Sequence, residues 1–381
     1  MDNFIVSARK YRPSTFRSVV VQEAITATLK NAIKNQQVAQ AFLFCGPRGV
    51  GKTTCARIFA KALNCQHLTA DFEPCNECDS CKSFNESSSF NVYELDAASN
   101  NSVDDIRALV DQVRIAPQGN AKYKVYIIDE VHMLSQQAFN AFLKTLEEPP
   151  AYAKFILATT EKHKIIPTIL SRCQVYDFKR IGDNDIIKHL QYVASQEHVE
   201  ADEDALRMVA SKADGALRDA LSIFDQLVSF TGSKITYAQA AENLNVLDVD
   251  NYFKMTSYLF SEDQSAALLL LDQILTKGFD GQYFISGLAS HFRNLLMAQN
   301  QPTVQLMPVS ESVKQKFLQQ AKILNPSLLL RALTIANDCD FNYKSSNNKR
   351  LSIEVALLQI NANFRYMQSK AVRQSREQST R

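Results

Sequence analysis

A glycine-rich segment carries the clearest chemical signal in the sequence. It reads Gly46-Pro47-Arg48-Gly49-Val50-Gly51-Lys52-Thr53, follows the apolar run 41–45 and precedes a helical pattern at 54–63. Glycines let backbone N–H groups point at phosphate oxygens, and the following helix adds the positive end of its dipole. In such loops the lysine reaches the β- and γ-phosphates and the threonine ligates Mg²⁺. The pattern predicts a nucleoside-triphosphate site, with an ordinary glycine turn as the alternative.

Two acidic residues follow a second apolar run. Residues 124–128 predict a buried parallel strand, and Asp129 and Glu130 come directly after it. In a doubly wound sheet the carboxyl ends of the strands border the ligand crevice. Asp129 can hold Mg²⁺, and Glu130 can polarise an attacking water as a general base. Two solvated acids at a strand end are the alternative interpretation.

Four cysteines have spacing suited to a metal. Cys65 is followed by Cys75, Cys78 and Cys81, and four thiolates can hold Zn²⁺ tetrahedrally at about 2.3 Å. Disulfides are disfavoured in the reducing compartment expected here. A ferredoxin-type iron–sulfur run needs a further cysteine at position 85, where this chain has Asn85. With all four positions occupied by protein, the predicted zinc is structural.

The elements that position these residues alternate along the first half of the chain. Strand patterns at 92–95, 124–128 and 155–160 alternate with helical patterns, which predicts an α/β fold with a parallel sheet. Ser102 is a predicted N-cap. After about residue 179 the strand patterns stop, and three amphipathic helices follow at 183–194, 202–213 and 216–230. Arg218 lies at the start of the third, against the dipole preference, which favours an anion facing it.

The remainder is predicted to be all helical. Helices are expected near 237–247, 249–260, 262–277, 280–299, 311–323, 326–343 and 348–367. No catalytic constellation occurs in them. The aliphatic run 268–271 together with Ile274 is expected to be mostly core, with any excess packing on a partner.

Composition narrows the class of protein. The chain has 381 residues, 46% of them apolar and 22% charged, with a net charge of +2. That length predicts two or three domains with real cores. The near-neutral charge gives no whole-protein argument for nucleic acid. The N-terminus lacks a signal-peptide pattern and no apolar run has membrane-spanning length, so a cytoplasmic protein without a membrane partner is expected.

The motifs, in this order, resemble those of the AAA+ ATPases, and most closely the gamma and tau subunits of the bacterial DNA polymerase III clamp loader. The segments that carry the resemblance are 8–13 with Phe16 and Val19-Val20, the glycine loop, the four cysteines, 95–99, 126–134, 144–150, 158–161, 171–173 and 215–221. The cysteine insertion together with Ser171-Arg172-Cys173 is the most specific part. The resemblance covers residues 4 to about 230, and the helical remainder resembles the family's collar only in general character.

The resemblance implies a domain plan. Residues 1–178 would form an α/β P-loop AAA+ ATPase domain, a parallel sheet with helices on both faces, with a zinc module inserted at 64–82. Residues 179–234 would form a three-helix lid, and 235–367 an all-α collar that mediates oligomerisation. Residues 368–381 would be a polar tail or linker.

The resemblance also implies roles for single residues. The glycine loop with Thr54 corresponds to Walker A, and Asp129 with Glu130 to Walker B. Thr160 corresponds to sensor 1, with Thr159 as the alternative. Arg218 corresponds to the sensor 2 arginine, and Arg172 to an arginine finger given in trans to a neighbouring subunit. The residues expected to line the adenine and ribose are Tyr11, Arg12, Pro13 and Val20, and the expected zinc ligands are Cys65, Cys75, Cys78 and Cys81.

The chain departs from the family pattern at one position. Val21 occupies a position where the family has glycine. A valine takes a positive φ only at a cost, so a different backbone beside the adenine is expected. In addition, Asn100-Asn101-Ser102 carries no basic side chain. If that helix start faces DNA, backbone N–H groups and amides would meet the phosphates.

The implied function is that of an ATP-dependent clamp-loader subunit using ATP, Mg²⁺ and Zn²⁺. The implied partners are other clamp-loader subunits in a pentamer, the sliding clamp, primer–template DNA and the DNA polymerase III core. Polymerisation by this chain is not expected. Two alternatives remain: a mainly structural scaffold of the replisome, and another AAA+ machine such as a branch-migration motor or a chaperone.

Overall fold

The computed structural model describes residues 5–244, 247–261, 263–307, 309 and 311–378, with the side chains at 312 and 365–378 excepted. Contacts divide the chain into two units, Met1–Ile235 and Thr236–Arg381. Parts of three predicted segments, namely 245–246, 262 and 379–381, lie outside the described residues. None of the described helices combines the length and apolarity that a membrane span requires.

The first unit alternates helices and strands. Its helices are α1 Ser7–Lys10, α2 Glu23–Lys34, α3 Lys52–Leu63, α4 Asp79–Asn85, α5 Val103–Val113, α6 Gln136–Glu147, α7 Pro167–Leu170, α8 Asp183–Gln196, α9 Glu203–Ala213 and α10 Leu217–Thr231. Its strands are β1 Ala41–Cys45, β2 Val92–Asp96, β3 Lys124–Asp129, β4 Ala153–Thr159, β5 Gln174–Asp177, β6 Glu200–Ala201 and β7 Lys234–Ile235. Short 3₁₀ turns occur at Phe16–Ser18, Val131–Met133 and Lys162–Lys164.

Five strands form one parallel sheet in the order β2-β3-β4-β1-β5. The central strands are buried on both faces, because helices cover each side. On one face Phe42 and Phe44 of β1 pack against Phe59 of α3, and on the other Leu43 shares a core with Phe142 of α6. The predicted α/β fold is therefore confirmed.

The order of the strands brings the predicted chemistry together. The loop after β1, the acids at the end of β3 and the threonines at the end of β4 all lie at the same edge of the sheet, since β4 lies between β1 and β3 and every pair is parallel. In register, Cys45 pairs with Thr159, and Ile128 pairs with Leu157. Ser102 caps α5 as predicted, with its Oγ accepting a 3.2 Å hydrogen bond from the backbone N–H of Asp105.

Two details of the strands differ from the sequence prediction. β5 was not predicted, because it is a four-residue edge strand in which only Tyr176 is buried. The expectation that strands stop after residue 179 is wrong, since β6 and β7 form a short parallel pair beside the helices α8–α10. A two-residue strand has too few positions to show a period.

Among its described residues, the second unit forms helices joined by turns and has no strand. Its helices are α11 Tyr237–Asn243, α12 Val249–Phe260, α13 Gln264–Thr276, α14 Gly281–Ala298, α15 Gln301–Val304, α16 Glu311–Ala321, α17 Pro326–Tyr343 and α18 Lys349–Gln378. The last helix continues past residue 367, where the sequence predicts its end. Within the aliphatic run of α13, Leu271 and Ile274 are buried, whereas Leu269 is 63% exposed. The run is therefore core on one side of the helix only.

Candidate nucleotide-binding site and metal centre

The glycine loop bends tightly between β1 and α3. Gly46, Gly49 and Gly51 have φ values of 146°, 75° and 102°. A Cβ on Gly46 would lie 2.5 Å from the carbonyl oxygen of Phe178, and one on Gly49 would lie 2.9 Å from Cβ of Ala216. Both positions therefore require glycine for space as well as for conformation.

Lys52 lies at the first turn of α3 with its ammonium directed into the loop. The residue is 5% exposed, and its Nζ donates to the carbonyl oxygens of Gly46 and Pro47 at 2.8 Å each. Burial lowers the pKa of Lys52, while the nearby carboxylates of Glu130 and Asp129 act in the opposite direction. A cation held by two loop carbonyls is positioned to meet an anion that enters the loop.

A hydroxyl and a carboxylate meet where β3 ends. The Oγ1 of Thr53 donates to Oδ2 of Asp129 at 2.5 Å. Both oxygens are hard ligands of the kind that Mg²⁺ prefers, and Mg²⁺ in nucleotide sites takes few protein ligands besides water and phosphate. The two predicted magnesium residues are thus adjacent and fit such an ion.

Glu130 is held by the residue that follows β4. Its backbone is left-handed, with φ 47°. Its Oε2 accepts hydrogen bonds from the backbone N–H and the Oγ1 of Thr160, at 3.1 and 2.9 Å. Non-glycine residues in this region of backbone space cluster at functional sites. Of the two threonines predicted for sensor 1, Thr160 is therefore the one that donates hydrogen bonds to Glu130.

His132 also reaches this carboxylate, although sequence reasoning assigned it no role. Its Nδ1 lies 3.3 Å from Oε2 of Glu130 and 3.0 Å from the Oγ1 of Thr159. Thr159 is fully buried at the end of β4, and its Oγ1 also accepts a 3.0 Å hydrogen bond from the backbone N–H of Glu161. The sequence feature that could have pointed to His132 is its position two residues after Glu130.

These residues border a cavity of about 710 Å³, a size typical of sites for small ligands. Of the predicted residues, those that line it are Tyr11, Arg12, Pro13, Val20, 48–54, Asp129, Glu130 and Arg218. Among the described residues, Gly46, Pro47 and Thr160 lie next to the lining and not in it. The sequence did not assign a role to Asp96, Ile181 and Leu221, which also line the cavity.

The segment before α2 and the helices after the sheet close the cavity. Nε of Arg12 donates to Oγ1 of Thr54 at 3.3 Å, and burial lowers the pKa of the Arg12 guanidinium. The hydroxyl of Tyr11 donates to the Glu197 carboxylate just after α8. The backbone N–H of Arg218 lies 3.4 Å from the carbonyl oxygen of Gly49. Arg218 thus extends from α10 over the glycine loop.

Val21 keeps the backbone conformation that glycine would have. The expectation of a different backbone here is wrong in that respect, because Val21 itself has φ 63°. For a β-branched residue this left-handed conformation is strained. Surrounding contacts must impose it: the next residue, Gln22, is 3% exposed, and its Nε2 donates to the carbonyl oxygen of Lys179 at 2.9 Å.

Replacing Val21 with glycine should therefore raise stability. Relief of strain, offset by the greater backbone entropy of glycine, should raise the free energy of unfolding by about 1 kcal/mol. The urea concentration at the midpoint of unfolding of the first unit measures this change in stability. Val19→Gly is the control, because Val19 has φ −75° and should lose stability. Equal losses in both variants would contradict the assignment of strain to Val21.

Arg172 follows α7 and does not line the cavity of its own chain, within the part of the chain that the structure describes. Its side chain is 33% exposed, and its guanidinium contacts Oε1 of Glu147 at 2.8 Å and the carbonyl oxygen of Thr168 at 2.9 Å. Of the predicted catalytic residues, it is the one that this chain's fold keeps away from the others.

The four predicted cysteines converge. Their Sγ atoms all lie within 4.8 Å of one another, with Cys65 to Cys75 at 3.5 Å and Cys75 to Cys81 at 3.9 Å. Thiolates around a tetrahedral zinc at about 2.3 Å would be about 3.8 Å apart. The donor set and its spacing fit a closed four-sulfur metal site.

The surroundings favour the thiolate at Cys75, whereas burial raises the pKa of Cys65 and of Cys81. Burial raises the pKa of Cys75, but hydrogen bonds from the backbone N–H groups of Glu77 and Cys78 outweigh it and lower the value to about 6. Lys61 of α3 is 4% exposed beside the cluster, and its Nζ donates to Oδ1 of Asn76 at 2.5 Å. A buried cation next to four sulfurs would offset the charge of a metal-bound set.

Three family descriptions match successive parts of the chain. Residues 21–182 match "DNA polymerase III, delta subunit", 185–233 match "DNA polymerase III clamp loader subunit, ATPase lid domain", and 235–374 match "DNA polymerase III subunits gamma and tau domain III".

Curated relatives agree with these matches. DNA polymerase III subunit tau of Bacillus subtilis is 43% identical over 92% of this chain and 62% of its own length. Subunit tau/gamma of Haemophilus influenzae is 37% identical over 93% of this chain and 51% of its own. Subunit gamma of Buchnera aphidicola is 33% identical over 94% of this chain and 99% of its own. The chain thus spans little more than half the length of the first two relatives.

Proposed function

Because this chain belongs to the family of DNA polymerase III gamma and tau subunits, we propose that it is an ATP-hydrolysing AAA+ subunit of a clamp loader. ATP bound at subunit interfaces organises a ring-like assembly that opens a sliding clamp on primed DNA, and hydrolysis releases the clamp. The observation that carries the proposal is the convergence of Lys52, Thr53, Asp129 and Glu130 on one cavity beside the glycine loop.

The geometry supports a division of roles in hydrolysis. Lys52 and the loop N–H groups bind the β- and γ-phosphates. Thr53 and Asp129 would hold Mg²⁺, which would supply positive charge beside the phosphate oxygens. Glu130 orients the attacking water and accepts its proton, for which it must turn from Thr160 toward the phosphate. Arg218 binds the phosphates from α10.

The position of Arg172 supports a contribution in trans. An exposed guanidinium outside its own chain's cavity can complete the site of a neighbouring subunit. Its present partner, Glu147, is an exposed carboxylate, and such pairs contribute about 1 kcal/mol or less. Arg172 can therefore leave that ion pair at small cost when a neighbour's γ-phosphate is available.

The cysteine cluster is proposed to hold zinc in a structural role. Cys65, Cys75, Cys78 and Cys81 would be the four ligands, which leaves no position for water or substrate. The metal would supply a fixed cross-link between the end of α3 and the start of α4 and no reaction step.

The proposed partners are other clamp-loader subunits in a pentamer, the sliding clamp, primer–template DNA and the DNA polymerase III core, in the cytoplasm. DNA would be held by shape and phosphates, so binding should weaken as salt rises. The N-terminus of α5, after Asn100 and Asn101, offers N–H groups and amides for that purpose.

Reconstitution tests the proposed function. ATP turnover of the assembled complex should rise several-fold when the sliding clamp and primed DNA are added together, because both complete the conformation that hydrolyses ATP. Complexes carrying Lys52→Ala should show no such rise. Turnover that is insensitive to clamp and DNA would contradict a clamp-loading role.

A further inference from the structure

The proposed mechanism does not use Glu73, although this residue is a buried carboxylate. It lies between Cys65 and Cys75 in the chain and is 7% exposed. Acidic residues are seldom buried this deeply unless they are paired. The contacts of the Glu73 carboxylate therefore indicate its structural role.

Both oxygens of Glu73 bind the segment that precedes α2. Oε2 accepts a 2.6 Å hydrogen bond from the backbone N–H of Phe16, and Oε1 accepts one of 3.0 Å from the backbone N–H of Arg17. Nζ of Lys30 on α2 lies 2.5 Å from Oε1. Hydrogen bonds to an ionised acceptor are about twice as strong as neutral ones.

These two N–H groups begin the 3₁₀ turn Phe16–Ser18. The first N–H groups of a helical turn have no partner within it and need one from elsewhere. Glu73, 57 residues away in sequence from Phe16, supplies that partner. The ring of Phe16, 2% exposed in the core beside α3, fixes the same turn from the other side.

The turn joins two parts of the cavity wall. Arg12 and Pro13 line the cavity before it, and Val19 and Val20 line it after. Because only five residues separate the two parts, a shift of the turn moves both. The carboxylate of Glu73 thus sets the position of this wall.

Glu73 is itself fixed within the cysteine module. Its carbonyl oxygen accepts a 3.0 Å hydrogen bond from the N–H of Thr69, and its own N–H donates to Oγ1 of Thr69 at 3.1 Å. Cys75 follows two residues later and belongs to the sulfur cluster. A metal that orders Cys65 and Cys75 therefore orders both ends of the loop that carries Glu73.

We propose that Glu73 is a positioning residue that couples the cysteine module to the nucleotide cavity, so that metal binding at the module raises the affinity for ATP. The inference rests on the proposed ATP site. It adds that the affinity of this site for ATP depends on the metal in the cysteine module. The cysteine module then acts on the reaction through nucleotide affinity and not through the chemical step.

Nucleotide affinity of the full chain tests the coupling. With a fluorescent ATP analogue and Mg²⁺, Kd should rise about tenfold in Glu73→Gln, which corresponds to about 1.4 kcal/mol, the scale of one lost charge-assisted hydrogen bond. Glu77→Gln is the matched control, an exposed acid of the same module, and its Kd should change less than about twofold. Zinc content should be about one per chain in all three proteins.

Removal of zinc tests the coupling in the unaltered chain, without any substitution. Chelation should raise the Kd of the unaltered chain about tenfold and that of Glu73→Gln by less than about twofold, because the two changes break the same connection. Tryptic cleavage after Arg17 should be faster in the chelated unaltered chain and in Glu73→Gln than in the zinc-loaded unaltered chain. In the reconstituted complex, KM for ATP should rise in Glu73→Gln while kcat changes less than about twofold.

Two results separate this proposal from the proposed function. Unchanged Kd in zinc-replete Glu73→Gln, or in the chelated unaltered chain, would overturn the coupling and leave the ATP site standing. Failure of the unaltered, zinc-loaded chain to bind the analogue would overturn the ATP site itself, and the coupling with it.

Discussion

Replacing Arg172 with alanine should lower ATP hydrolysis by an assembled clamp loader by about 10³-fold or more, with ATP binding by the isolated chain unchanged. The reason is geometric. Among the described residues, Arg172 does not line the cavity of its own chain. Its side chain is 33% exposed, and its guanidinium forms an ion pair with Glu147. A guanidinium that stabilises the transferred phosphoryl group must then do so in a neighbour. Single-turnover hydrolysis by the reconstituted complex measures the effect.

Two variants distinguish this role from a structural one. Glu147→Ala removes the partner of Arg172 in its own chain and should leave turnover within about twofold, because an exposed pair contributes about 1 kcal/mol or less. Arg172→Lys keeps the charge without the planar fork and should recover only part of the rate. A complex that hydrolyses ATP equally fast with Arg172→Ala would refute the shared site. So would a Glu147→Ala complex as slow as Arg172→Ala.

Replacing Glu130 with glutamine should lower the hydrolysis rate by about 10²- to 10⁴-fold, the usual contribution of a general base. The amide keeps the size of the side chain and its hydrogen bond from Thr160, so the fold and the cavity should persist. Kd for the ATP analogue should therefore stay within about threefold. The expected signature is a loss in kcat with little change in binding.

Glu161→Gln is the matched control for Glu130. Glu161 contacts the same imidazole, with Oε1 3.5 Å from Nε2 of His132, but lies outside the cavity lining in the described structure. Its replacement should change the rate less than about tenfold. Equal losses in the two variants would mean that the acidic cluster around His132 acts as a unit, and the assignment of Glu130 as the base would be wrong.

Segment 7–22 of the first unit makes contacts that the sequence does not predict. The resemblance assigns four of its residues to the adenine and ribose, namely Tyr11, Arg12, Pro13 and Val20. In the structure the segment reaches three places: Arg12 contacts Thr54, Tyr11 contacts Glu197, and the turn at Phe16 contacts Glu73. The cavity beside the glycine loop, the helices α8–α10 and the cysteine module are therefore connected through one short segment.

The sequence by itself determined the features whose chemistry is local. The glycine loop, the acids at the end of β3 and the cysteine motif each lie within a short segment. Each of these segments has few backbone conformations available to it. Apolar runs of four or five residues were enough to predict the central strands, because strands buried on both faces must be apolar throughout. The residues of the candidate sites on those elements could therefore be predicted by number.

Only the tertiary structure decided what depends on contacts between distant parts of the chain. It showed that Thr160 contacts Glu130, that Glu73 binds the N–H groups of Phe16 and Arg17, and that Val21 takes a positive φ. An edge strand such as β5 and an exposed leucine such as Leu269 depend on which neighbours cover them. A local sequence pattern constrains the backbone and the chemistry of a short segment. Which residues come into contact across tens of positions depends on how the elements pack, and a local pattern contains no information about that packing.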